Sequence, residues 1–549
     1  MLYIKLLIKR AVSFCNAGGG FYFLLFVFKK IIITNRKIIM KREKSILTIC
    51  ILAILLFGGN LLAQPNNNKM MNEQYRPQIH YSPKKGWMND PNGMVYYNNQ
   101  YHLYYQYYPN SSVWGPMHWG HAISKDLVNW QEQPIALYPD SLGFIFSGSI
   151  VADSNNTSGF GRDGKVPFVA IFTLANWVTE KAGRNDFQTQ GIAYSLDEGM
   201  TWTKYKDNPV LENPGIKDFR DPKVSWFEPG KKWIMTLATF DRVTFFSSTD
   251  LKNWTKDSEF GVGVGKHGAA WECPDLFSLD YNGQKIWVLL VSINPEGPNG
   301  GSATQYFTGK FDGKNFISNQ TDIRWLDYGT DNYAGVTWSN TGNRKIFIGW
   351  MSNWQYGKVV PTKAWRSAMT VPRDLGIEKV GDKYLVTSLP VKELNSIADK
   401  QIVAENISAT NYDLSKKVGK LTGPAKISFT LDKIETISVT LSNELGEKVV
   451  LGYNKAANYY YADRSASGKT EFEKDFGIFH FAPRLTEAIN LNFSLIVDVA
   501  SVELFADDGL TVMTDIFFPT TPYNQITIQS KEGTIIKKLE YVNLKSIWP

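Results

Sequence analysis

The sequence predicts an all-β protein, a propeller followed by a β-sandwich, and three observations carry that prediction. Between about residues 75 and 390 the chain runs as short apolar or alternating stretches broken by Gly, Asn, Asp and Pro. Gly93-Met94-Val95-Tyr96-Tyr97, Tyr101-His102-Leu103-Tyr104-Tyr105 and Lys232-Trp233-Ile234-Met235-Thr236-Leu237 are examples. Such runs read as strands, joined by hairpin signals like Tyr97-Asn98-Asn99-Gln100, and no convincing amphipathic helix interrupts them. Second, Ser124-Lys125-Asp126-Leu127-Val128-Asn129-Trp130 returns as Ser248-Thr249-Asp250-Leu251-Lys252-Asn253-Trp254, with looser copies at residues 195–202 and 311–316. The copies stand roughly 50–70 residues apart, about one four-stranded propeller blade with insertions. Each reads as a hairpin in which Asp caps the turn and Trp packs between blades; the competing reading is chance recurrence of a common turn. Third, the texture changes after Leu389-Pro390, where residues 392–410 are polar and read as a linker. Alternation then returns in Ile427-Ser428-Phe429-Thr430-Leu431, Ile437-Ser438-Val439-Thr440-Leu441 and Val502-Glu503-Leu504-Phe505, so residues 411–549 form a second all-β unit. Its acid pair Asp507-Asp508-Gly509 sits where a hairpin turn belongs.

At 549 residues the chain is too long for one ordinary core. Aromatic residues make up 14%, with 17 Trp and 27 Tyr, which suits β-structure and sugar binding alike. The formal charge of +7 is concentrated in residues 1–63, whose ten Lys/Arg and one Glu sum to +9 and leave the remainder at −2. No nucleic-acid partner is expected from that remainder. Within the leader, Met40-Lys41-Arg42-Glu43-Lys44 is a charged segment followed by an apolar run to Phe57, with Ala63 at a cleavage position. Residues 1–63 thus read as a start assigned too early plus a signal peptide from Met40, and residues 64–74 as a linker. Export to a periplasm or the medium follows, with no membrane span in the mature chain. The alternative is an uncleaved anchor helix, for which the apolar run is short. Of three cysteines only Cys273 remains beyond the leader, so neither an intrachain disulfide nor a zinc site is expected, and no cofactor is implied.

Three carboxylate motifs organise the first unit: Trp87-Met88-Asn89-Asp90-Pro91-Asn92-Gly93, Phe219-Arg220-Asp221-Pro222 and Trp271-Glu272-Cys273-Pro274-Asp275. Taken singly, the first is a turn, since Pro91 fixes φ and Asn92-Gly93 tolerates positive φ. Three acids set among Pro and aromatic neighbours suggest loops converging on one pocket, as a carboxylate-pair glycosidase needs.

These motifs, in this order and at these separations, resemble the β-fructofuranosidases of glycoside hydrolase family 32. Supporting stretches include residues 101–106, Trp114-Gly115-Pro116-Met117-His118-Trp119-Gly120-His121, Phe146-Ser147-Gly148-Ser149, residues 329–334 and 349–356, and Trp365-Arg366-Ser367. The likeness is to bacterial levanases and exo-inulinases. It implies a five-bladed propeller over residues 75–391 followed by the sandwich. It also implies Asp90 as nucleophile, Glu272 as general acid/base and Asp221 as a stabiliser of the fructosyl hydroxyls. Substrate contacts are expected from Trp87, Met88, Asn89, Gln106, Trp114, Phe146, Ser147, Arg220 and Trp354. The chemistry needs an ionised carboxylate under the anomeric carbon and a protonated acid at the departing oxygen. Asn89 and backbone donors are expected to keep Asp90 ionised, and apolar Trp271, Cys273 and Pro274 to keep Glu272 protonated.

Blander readings stand beside these. Arg220 and Asp221 make an ion pair buttressing a blade or a substrate contact. Trp114 and Phe146 pack in the core or line a pocket, and Trp354 packs beside the sugar or between blades. His118 and His121 read as structural. At the level of function, an exported retaining hydrolase of β-fructans (levan, inulin) or sucrose, releasing fructose from chain ends, competes with two others. These are a fructosyltransferase of the same chemistry and a non-catalytic carbohydrate-binding propeller.

Overall fold

The computed structural model describes residues 71–268, 270–531 and 533–548. The predicted leader of residues 1–63 lies outside the described residues, as does most of the 64–74 linker. Among the described residues strand content is overwhelming, and the α-helices are two short pieces, Trp177–Lys181 and Ser415–Val418.

Between Gly86 and Pro390 the strands form five sheets in chain order. Their first strands are Gly86–Tyr97, Phe144–Ala152, Phe219–Phe227, Trp271–Tyr281 and Tyr333–Thr337. Each first strand touches the first strand of the next sheet, and the fifth touches the first, which closes a ring. The short strand Trp365–Arg366 pairs in parallel with Gly86 and Trp87, so late chain also completes the first sheet. Within a sheet, neighbours are antiparallel hairpins. Asn98-Asn99 is a two-residue turn with both residues at positive φ (46° and 58°), the conformation that matches strand twist.

The sequence repeat has one structural address: all four copies join the third strand of a sheet to the fourth. Asp126 Oδ1 accepts from the Val128 and Asn129 N–H groups, and Asp250 Oδ1 from those of Lys252 and Asn253. Asp197 and Asp312 cap their turns in the same way. The aromatic that follows packs on the preceding sheet. Trp202 meets Tyr104 edge-on, Phe316 meets Phe260 at 4.9 Å, and Trp130 stacks on Trp338 beside the fifth sheet. The fifth sheet makes this connection through the two-residue turn Gly381-Asp382, too short for the Ser-x-Asp hairpin, although Tyr384 after it still packs edge-on against Tyr281 of the fourth sheet at 5.4 Å.

Two six-stranded sheets follow. One contains Ala398–Ser408, Ile535–Leu544, Ala425–Leu431, Leu491–Val497, Ser501–Ala506 and Thr511–Ile516; the other contains Tyr412–Asp413, Gln525–Ser530, Ile437–Ser442, Lys448–Asn454, Tyr459–Asp463 and Phe479–Pro483. Their alternating apolar faces share one core through residues such as Ile427, Val439, Leu451 and Leu495. The expected 392–410 linker is corrected here. It holds a 3-10 helix, Lys392–Ile397, and the edge strand Ala398–Ser408. Being an edge, that strand buries little more than Ala404 and Ile407, so its apolar alternation is too sparse to read as a strand. Asp507-Asp508-Gly509 is the expected turn, although Asp507 is buried and accepts from Tyr460 at 2.7 Å.

Candidate active site

The expected turn at residues 89–93 is also corrected: these residues lie within the continuous strand Gly86–Tyr97. Nor do the other two acids sit on loops, since Asp221 and Glu272 are on the first strands of the third and fourth sheets. What the Asp-Pro sequences mark is a break in register. In every one of the five first strands, three steps span what two steps span on the second strand. The extra residue is a β-bulge, a device that re-aims side chains and frees a backbone N–H that proline lacks. The bulges fall at residues 89–90, 146–147, 221–222, 273–274 and 334–335, and the first strand has a second at residues 93–94. Asp221, Cys273 and Ala334 there have φ of 64°, 46° and 53°. Arg220, Glu272 and Tyr333 stand immediately before the last three bulges.

These side chains meet in a cavity of about 400 Å³ lined by Asn89, Asp90, Gln106, Phe146, Arg220, Asp221 and Glu272 among others. Asp90 accepts from Asn89 Nδ2 at 2.8 Å on one oxygen and from Ser147 Oγ at 2.8 Å on the other. Asp221, 6% exposed, accepts from the Cys273 N–H at 3.0 Å, and its own N–H is held by Thr173 Oγ1. Glu272 accepts from Arg220 at 3.0 Å on one oxygen and from the Tyr333 hydroxyl on the other. Arg220 also reaches Asp218 at 2.5 Å. The apolar sheath expected around Glu272 is therefore corrected: its carboxyl group is dressed by a guanidinium and a phenol.

The electrostatics follow from crowding. Burial raises the Asp90 carboxyl above its ordinary range and nearby Glu272 raises it further, against hydrogen bonds from Asn89 and Ser147 that oppose the shift. Asp221 is pushed up to about 7 by burial and by the charges of Glu272 and Asp90, although Arg220 pulls the other way. Burial and Glu272 raise the Tyr333 phenol well above its usual value, so it stays a donor. Cys273, a free buried thiol, has Sγ 3.6 Å from Asp90 and is held protonated by burial and the surrounding acids.

Among the residues expected at the site, Trp87 and Met88 are corrected, since both are fully buried beneath the pocket. Trp87 acts at one remove: its Nε1 donates to Asn89 Oδ1 at 2.7 Å and its ring stacks on Trp354 at 5.8 Å. Trp354 lines the cavity and packs on Trp350, so both of its readings hold. Trp114 and Phe146 line it too, edge to face at 6.2 Å, as does Gln106, whose buried amide nitrogen has no hydrogen-bond partner. His121 stacks on Tyr104 in the core, and His118 bonds the Pro116 carbonyl. Sequence reasoning missed Tyr333, Gln188, Asp218, Glu180, Lys217 and Lys358. Gln188 accepts from the Phe219 N–H at 2.8 Å, and the Lys358 ammonium lies 5.5 Å from the Trp354 ring centre and 6.0 Å from that of Trp114. Lys217 and Asp218 directly precede the Phe219-Arg220-Asp221-Pro222 motif, whereas Glu180 and Gln188 stand alone with no local motif around them. Tyr333 also carried a signal, since it lies in the stretch 329–334 that resembles the family.

Against known proteins, residues 80–388 match the N-terminal domain of glycosyl hydrolases family 32 and residues 393–546 its C-terminal domain. The levanase of Bacillus subtilis (strain 168) is 44% identical over 497 residues, covering 87% of this chain and 71% of that protein. The extracellular exo-inulinase of Aspergillus awamori is 37% identical over 500 residues, covering 84% of this chain and 93% of that one. The crystal structure of an exo-inulinase from Aspergillus awamori superposes with a TM-score of 0.79 at 35% identity, over 87% of this chain and all of that one. A fructofuranosidase from Schwanniomyces occidentalis, solved with fructosylnystose, gives a TM-score of 0.80 at 32% identity, over 87% of this chain and 99% of that one. With its carboxylates gathered on first-strand bulges and both domains of the family matched, this chain is a glycoside hydrolase and belongs to glycosyl hydrolases family 32.

Proposed function

We propose that the chain hydrolyses β-fructofuranosidic bonds of fructans, and of sucrose, with retention at the anomeric carbon and release of fructose from chain ends. The single observation behind this is the convergence of Asp90, Asp221 and Glu272 in one cavity on a chain 44% identical to a levanase. Asp90 attacks the anomeric carbon while Glu272 protonates the departing oxygen; Glu272 then takes a proton from water, which cleaves the fructosyl ester on Asp90. Asp221 accepts hydrogen bonds from the ring hydroxyls. Asp90 rests in surroundings that disfavour its charge, so it gains most when the oxocarbenium-like transition state puts positive charge beside it. Arg220 and the Tyr333 hydroxyl hold Glu272 in place. The closed ring of five first strands supports counting five blades, with the sandwich appended. Export fits relatives whose names describe extracellular enzymes. Among the described residues no helix is long and apolar enough to cross a membrane.

The test is the time course of products from levan and from inulin, made by residues 64–549. Fructose alone from the first minutes is expected, and the faster polymer gives the linkage. Early oligosaccharides would replace end-wise action by internal cleavage, and longer chains would replace hydrolysis by transfer. No product from either polymer or from sucrose would overturn the assignment.

A further inference from the structure

Of the 17 tryptophans, Trp177 stands apart: among the described residues it is the one that is exposed, at 44%. It opens the short helix Trp177–Lys181, inserted between the second and third strands of the second sheet. That helix buries none of its residues, so core packing explains neither the tryptophan nor the helix. Its position is nonetheless fixed. Asn176 Oδ1 accepts from the Val178 and Thr179 N–H groups at 3.1 Å, the Asn176 N–H donates to the Phe187 carbonyl at 2.8 Å, and Arg184 N–H donates back to Thr179. The residues flanking the helix, Ala175 and Phe187, line the catalytic cavity, and so does Glu180 within it. Trp177 and Glu180 are three residues apart and therefore share a helix face. The indole thus continues the cavity wall outward, with the Lys181 ammonium 4.3 Å from its ring centre.

We propose that Trp177 is a binding platform for the second and later sugar residues of a polymeric substrate, an inference that rests on the fructan-hydrolysing reading of the pocket. An exposed indole costs solubility and here contributes nothing to the core, whereas the C–H faces and CH₂ groups of a fructosyl chain leaving the pocket would cover it. The role is specificity, not chemistry: Trp177 selects chain length and leaves the bond-breaking groups untouched.

The test compares the unaltered chain with Trp177→Ala and Trp177→Phe. KM for levan or inulin should rise about fivefold in the alanine variant, the scale of one aromatic stacking contact, and recover in the phenylalanine variant. KM for sucrose, too short to reach the helix, should not move, nor should kcat. Retardation of each variant in gels containing levan or inulin reports binding without turnover, and Trp177→Ala should run faster than the unaltered chain. Equal retardation, or a KM shift of the same size on polymer and sucrose, would overturn the proposal. Failure of the unaltered chain to release fructose is a separate result, against the functional reading, and the gel still decides the platform.

Discussion

Where the ring of sheets meets the sandwich, buried cations and carboxylates alternate, whereas around the pocket the acids outnumber the bases. At the boundary Arg373 lies between Asp327 and Glu503, and His80 between Asp498 at 2.7 Å and Glu503 at 2.8 Å. Arg464 pairs with Asp331 at 2.7 Å, and His480 with Asp515 at 2.6 Å. Burial there would raise Glu503 and Asp515, but their partners outweigh it and hold both below the usual carboxylate range; Asp331 is the exception, raised by burial and by nearby Asp515 against Arg464. In the pocket Arg220 stands among Asp218, Asp221 and Glu272, and Asp90 and Asp221 are pushed upward. Matched charges fix the two halves against each other; on the proposed mechanism, the unmatched carboxylates hold free energy that a cationic transition state would release.

The contrast breaks most sharply at Asp90. Asp90→Asn should lower kcat by about 10⁴-fold or more, as loss of a nucleophile does. The same change removes a carboxylate whose ionisation its surroundings oppose, so the thermal midpoint should hold or rise; a clear fall would contradict the picture of stored repulsion. At the boundary the outcome inverts. Glu503→Gln leaves Arg373 to Asp327 alone and His80 to Asp498 alone, and should cost about 3 kcal/mol in urea unfolding, with kcat of the folded enzyme unchanged.

The same boundary predicts a pH dependence. Burial would lower His80, but Asp498 and Glu503 raise it from 6.5 to about 9. A base raised on folding stabilises fully below its unfolded value and loses that contribution as pH rises through the folded one. About 3 kcal/mol should therefore disappear between pH 6.5 and 9. Urea midpoints across that window should fall for the unaltered chain and flatten for His80→Phe; equal slopes would remove His80 from the account. The smallest effect belongs to the outer hairpins, where Asp250→Ala should cost about 1 kcal/mol, the worth of one cap, and leave turnover alone.

Legibility followed the range of the interactions. The outer hairpins could be read because Ser248, Asp250 and Trp254 bond to backbone within three residues, so their geometry is written locally. The bulges could not, because whether Asn-Asp-Pro-Asn-Gly turns or stays extended depends on Tyr105 and Tyr107 across the sheet. Three acids were identifiable by their proline and aromatic neighbours, yet their placement on strands was not. Trp87 and Met88 share a motif with Asp90 but are fully buried, because both faces of this first strand are covered and the bulge at residues 89–90 re-aims the side chains that follow it. Tyr333 and Gln188 reach the site only through tertiary structure.

The most direct test of the central claim is to trap the fructosyl ester. Glu272→Gln exposed to fructosyl fluoride, whose leaving group needs no proton, should form the ester but turn it over slowly, because the base that activates water is gone. Mass spectrometry of the digested protein should then find one fructosyl unit on the peptide carrying Asp90. An adduct on the peptide carrying Asp221, or fluoride release with no adduct at all, would contradict the assignment of Asp90 as nucleophile.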